Sequence, residues 1–278
     1  MNGLALATLF TGFLDLSATS NDRQLDIALA QVQWSRPATK EEPLGFTLAL
    51  IAGDGADFVH SGEPDDTFRN VYQASAAYRV NDALAIEGGI YPSHIGLESF
   101  YSKDDWNYTR SFLADLSPYY QAGVKASYTI NDRWSAQLHV LNGFQLIHNE
   151  NGGHGYGTQL AYSGKTITAS FNTYVDADRH FGDVVLVARV TPQLQLAAVA
   201  DYGTRAADWR GVTAYARYAF DDRNALALRA ERVTGSTNVD AATLTYELRP
   251  RDSLILKFET RYDDPGDFRA VIGAVVTF

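Results

Sequence analysis

The chain has 278 residues, no cysteine, 46% hydrophobic and 20% charged residues, and a formal net charge of -10. Without cysteine there is neither a disulfide framework nor a thiolate metal site, and an acidic chain with no Lys/Arg cluster cannot neutralise phosphates, which excludes nucleic acid as a partner. No apolar run reaches the roughly 18 residues of a membrane-spanning helix, while 16 tyrosines and 22 glycines favour strands and turns.

The opening stretch MNGLALATLFTGFLDL has the apolar core of a signal peptide but no positive flank, since the first basic residue is Arg23. It reads better as a first strand, at residues 4–15. Alternation of apolar and polar residues then places strands at 24–34, 44–53, 70–80, 83–92, 118–129, 134–144, 154–163 and 166–176. The same period continues at 182–191, 193–203, 210–220, 224–233, 239–249, 253–262 and 268–278, giving sixteen. All eight prolines fall in connections or at strand ends, where no ladder hydrogen bond is lost.

Short turns such as Val80-Asn81-Asp82 and Thr191-Pro192-Gln193 follow the even-numbered strands. Links after odd-numbered strands are mostly longer, notably Asp54–Arg69 and Pro92–Leu116. An even strand count with turns at one end and loops at the other describes an all-β fold, a closed antiparallel up-and-down transmembrane barrel spanning 1–278 as one outer-membrane domain.

The charges decide which face meets lipid. In SLILKFETRY, residues 253–262, Leu254, Leu256, Phe258 and Tyr262 alternate with Ile255, Lys257, Glu259 and Arg261. A lysine or arginine turned to lipid costs roughly 2–4 kcal/mol near the midplane, so the charged row is expected to face a water-filled lumen. The same parity turns Glu87, Lys125, His139, Arg189, Asp201, Arg217, Arg229, Glu231, Glu247 and Arg269 inward. Arg232 breaks the rule near a strand end, where it can snorkel. The C-terminal strand closes on Phe278, a terminal aromatic of the kind that ends bacterial outer-membrane proteins.

The segment Tyr91–Gln145 carries Asn107-Tyr108-Thr109-Arg110-Ser111, Ser117-Pro118-Tyr119-Tyr120 leading to Gly123-Val124, and Leu141-Asn142-Gly143. In these pieces it resembles the bacterial family named putative beta-barrel porin 2. The resemblance implies an outer-membrane pore without catalytic residues, a bacterial outer-membrane location, and passive diffusion of small hydrophilic solutes or ions. Membrane lipids and lipopolysaccharide are the surroundings expected, and a homotrimer is the assembly common among porins of this size.

In such porins the third long loop folds into the lumen, and here that loop is Pro92–Leu116. Its His94, Glu98, Lys103, Asp104, Asp105, Trp106, Arg110 and Asp115 are expected to form a constriction. The acidic members would oppose inward basic residues and set up a transverse field; the bland alternative is a loop over the mouth with solvated charges. Acidic residues Asp54, Asp57, Glu63, Asp65 and Asp66 suggest a mild cation preference at the entrance, or a site for divalent ions. His148 and His154 match no zinc spacing, Asn151–Gly155 precedes no helix, and nothing calls for a cofactor. A barrel with a plugged lumen, acting as adhesin or enzyme through its loops, is the rival function, and a soluble all-β protein the rival fold.

Overall fold

The computed structural model describes residues 8–21, 24–64, 66–150, 152–205, 207–235 and 238–278. Sixteen strands follow one another: β1 (Leu9–Thr19), β2 (Leu25–Arg36), β3 (Leu44–Ala52), β4 (Val71–Arg79), β5 (Leu84–Pro92), β6 (Tyr120–Thr129), β7 (Trp134–Leu141) and β8 (Gly155–Ser163). They continue as β9 (Ile167–Val175), β10 (His180–Arg189), β11 (Leu194–Arg205), β12 (Ala207–Ala219), β13 (Asn224–Gly235), β14 (Val239–Arg251), β15 (Leu254–Asp264) and β16 (Asp267–Thr277). Two short helices, α1 (Asp54–Val59) and α2 (Phe112–Leu116), sit in the two longest connections. Every strand is antiparallel to its sequence neighbours, and β1 closes on β16 with Leu14 opposite Val276, so the sheet has no edge.

Strand number and order agree with the alternation in the sequence. The expected strand portion at residues 4–7 lies outside the described residues, as do Arg23 and Asp65. β1 runs past its expected end at residue 15, because Ala18 and Thr19 still pair with Ile272 and Val271. Links at the long-loop end are long only after β3, β5 and β7. After β9, β11, β13 and β15 the chain turns back within a few residues, and there the strands themselves are longer, at 11–13 residues for β11 to β16 against 8–10 for β3 to β9.

The outer wall is apolar along its length. In β15, Phe258 and Tyr262 are exposed on the outside while Lys257, Glu259 and Arg261 are buried on the inside. Exposed aromatics gather at both rims: Tyr78, Tyr128, Trp134, Tyr218 and Phe220 toward the short turns, and Tyr156, Tyr202, Tyr262 and Phe268 toward the long loops. Those two girdles bracket the lipid-facing band. Arg232 does face outward, and it is held there by Asp240 at 2.6 Å on the facing strand, both side chains remaining well solvated.

A loop laid across the lumen as candidate functional site

The connection between β5 and β6 turns into the barrel, and the wall receives it at nearly every quarter. His94 docks on β6 and β9 through Gln121 (2.8 Å) and the Thr173 carbonyl (3.1 Å), and its ring stacks on that of His139 in β7, centroids 4.1 Å apart. Phe100 stacks on Tyr72 of β4, and Tyr101 meets Phe13 of β1 and the amide of Gln31 in β2. Asn107 donates to Thr245 of β14, Tyr108 to Asp15 of β1, and Trp106 packs edge-on to Tyr215 of β12.

The tightest docking uses the charged row of β13 to β15. Arg229 pairs with Glu98 (3.0 Å) and Glu231 (3.1 Å) and donates to the carbonyls of Thr109 and Arg110. Glu259 accepts from the backbone N–H groups of Tyr108 (2.6 Å) and Thr109 (3.0 Å), and Glu231 accepts from that of Phe112 (2.6 Å). Lys257 donates to the carbonyls of Ser102 (2.6 Å), Asp105 (2.5 Å) and Asn107, and Arg261 to that of Arg110. A loop has no ladder to satisfy its peptide groups, so a buried loop needs partners of this kind. Here the wall's ionised side chains supply them as charge-assisted bonds.

This corrects the expectation that the inward charges are hydrated. Arg229, Glu231, Glu247, Lys257, Glu259 and Arg261 point inward but are at most 6% exposed, sheltered beneath the loop rather than lining water. Asp201 and His139 are buried as well. Those still partly solvated are Glu87 and Lys125, paired at 2.9 Å, Arg217, paired with Glu247 at 2.9 Å, and Arg269, paired with Asp263, while Arg189 is exposed at the turn end of β10. Among the loop's acids only Glu98 pairs with a wall cation: Asp104 pairs with Lys103 (2.8 Å) and Asp115 lies 3.7 Å from Arg110. Asp105 is buried and accepts from the Ser99 N–H, and burial pushes its carboxyl well above the usual range. Burial likewise lowers the pKa of His94.

The loops are also locked to one another. The Arg110 guanidinium sits among Phe58 of α1, Phe100 and Tyr119, 5.3–5.4 Å from each ring. Glu63, expected at an acidic entrance, instead accepts from Tyr120 and from the Ile147 N–H, tying the β3–β4 loop to the β7–β8 loop. Asp57 pairs with Arg69, and among the described residues no group of three or more His, Cys, Asp or Glu is placed to hold a metal ion.

Several docking residues lie outside the expected set: Asp15, Asn107, Tyr108, Thr109, Phe112, Leu113 and Thr245. Their sockets did leave a mark in the sequence. Gly157, Gly211 and Gly273 occupy inward positions of strand interiors, and a Cβ there would strike His94, Leu113 and Tyr108 respectively. Glycine at such positions signals close approach by another segment.

The family model described as "Putative beta-barrel porin-2, OmpL-like" matches residues 12–272. The chain belongs to that family. This porin also shares its fold with solved structures of other porins at low identity. One is a loop L8 deletion mutant of OmpT, an outer membrane protein of Vibrio cholerae, at TM-score 0.70 and 11% identity, covering 98% of this chain and 99% of that one. Another is a double mutant of the porin of Rh. blastica, at TM-score 0.68 and 12% identity, covering 98% and 100%. No curated protein matches the porin in sequence. Fold and family together make it an outer-membrane porin, a membrane-embedded channel.

Proposed function

We propose that this single barrel domain conducts small hydrophilic solutes passively through a lumen narrowed by residues 92–116. The observation that carries the reading is the division of the inner wall. One sector, β13 to β15, is sheltered by the loop. Elsewhere the wall keeps half-buried, water-accessible polar side chains on β2, β7 and β9, among them Gln33, Ser35, Gln137 and Ser170. The loop therefore sets the bore while the remaining wall keeps a hydrated path, and the solute gradient alone drives transport. Asp104 and Asp115 are the loop carboxylates that keep substantial exposure, at 48% and 43% of their side chains, and are the best placed to meet a permeating ion.

Reconstituted in planar bilayers, the protein should give stepwise, ohmic conductance in KCl, and replacing residues 98–111 by a short flexible linker should raise it several-fold. Silent bilayers from correctly folded protein would overturn the channel reading, and unchanged conductance in the loop-replaced form would overturn the constriction. The girdled outer wall suits lipid and the lipopolysaccharide leaflet, and a homotrimer, common among porins of this size, is the assembly to test by crosslinking in native membranes.

A further inference from the structure

At the long-loop end a cavity of about 860 Å³ opens between residues 115–117, the β7–β8 loop and the β9–β10 hairpin. That volume lies within the range of sites that hold a small organic molecule, roughly 300–1,000 Å³. One wall is backed by a chain of aromatic rings, Phe144 against Phe181 (5.5 Å) and Phe181 against Trp209 (5.6 Å); Phe181 and Trp209 are buried, and Phe144 is the half-buried ring at the cavity surface. Around it stand polar groups of mixed kind: the carboxylates of Asp115, Asp176 and Asp178, the amide of Asn142, and Arg179. Arg179 lies over one face of Phe144, 4.0 Å from its centroid.

We infer that this vestibule is a docking subsite for neutral polyhydroxylated solutes, of the size of a di- or trisaccharide. This rests on the porin reading and names the solute class of that channel. Two independent features favour it. Apolar ring surface beside carboxylate and amide oxygens matches a sugar, whose C–H faces are apolar and whose hydroxyls donate to carboxylates and exchange bonds with amides. An anionic solute would instead meet three carboxylates. Farther down the barrel the accessible wall is amide and hydroxyl, Gln33, Gln137 and Ser170, and the charges near it are neutralised in pairs such as Glu87–Lys125 and Arg217–Glu247. A wall of neutral donors and acceptors can exchange hydrogen bonds with a hydroxylated solute without holding an ion.

Saturation-transfer NMR on the detergent-solubilised full chain tests the subsite directly, with maltotriose as the probe and glucuronate and spermidine as charged comparisons. Transfer to maltotriose is expected, with little to either charged probe. Phe144→Ala should weaken it about tenfold, as loss of a buried aromatic contact does. Asp115→Asn, on an exposed side chain, should weaken it less while leaving the fold intact, and heat-modifiability of both variants checks folding. No transfer to maltotriose, an equal response to glucuronate or spermidine, or undiminished transfer in folded Phe144→Ala would overturn the inference. Silent bilayers alongside retained maltotriose binding would overturn the channel reading and leave the subsite standing.

Discussion

Arg229 illustrates how much one side chain does here. It is fully buried, carries two carboxylate partners, and donates to two loop carbonyls. Arg229→Ala would leave Glu98 and Glu231 as buried carboxylates short of a counter-charge, a change that costs about 3–5 kcal/mol when one member of a buried pair is removed. Loop docking should therefore fail before the barrel does. Limited proteolysis should cut within residues 98–111 of the variant while the strands stay resistant, and channel conductance should rise. At the other end of the loop, His94 is held neutral by burial. Its folded pKa lies below the unfolded value of about 6.5, so the clasp contributes fully above that value and is lost as pH falls through the depressed one. Acidification from pH 7 to pH 5 should thus lower the protection factors of the amides in residues 93–97, each rate being taken relative to the intrinsic rate at that pH, and His94→Gln should abolish that loss of protection. Asp105 has the opposite sign: its raised pKa makes docking less favourable as pH rises, so Asp105→Asn should leave docking at pH 7 unimpaired or strengthen it, read by the same exchange.

At the scale of the element, the strands were legible because a two-residue period has one physical cause, a wall wet on one side and apolar on the other. Leu254 to Tyr262 on the outside and Lys257 to Arg261 on the inside followed from that alone. The destination of the loop was also legible, through resemblance, but its anchoring was not. Parity says that Lys257 points inward, yet whether it meets water or the carbonyls of Ser102 and Asp105 depends on a segment 150 residues away. The inward glycines were the missed signal. Gly273 accommodates the ring of Tyr108, so Gly273→Val should expel that ring, loosen the loop, and raise conductance, with the barrel still shifting mobility on heating. A variant with wild-type conductance and an ordered Tyr108 would show that the socket has slack.

For the whole molecule, closure of β1 on β16 predicts that unheated protein migrates as a compact species in a denaturing gel and converts to a slower one on boiling. The same closure determines when the lumen can be furnished. Residues 92–116 take their anchors from β1, β2, β4, β6 to β9 and β12 and, most tightly, from β13 to β15, more than a hundred residues downstream. A nascent barrel lacking its last strands would therefore expose both a loop with unmet peptide groups and a row of unpaired charges, each the remedy for the other. Narrowing of the bore and completion of the wall become one cooperative event. A chain cut short before Lys257 should fail as an assembly intermediate, leaving the loop without its final catch.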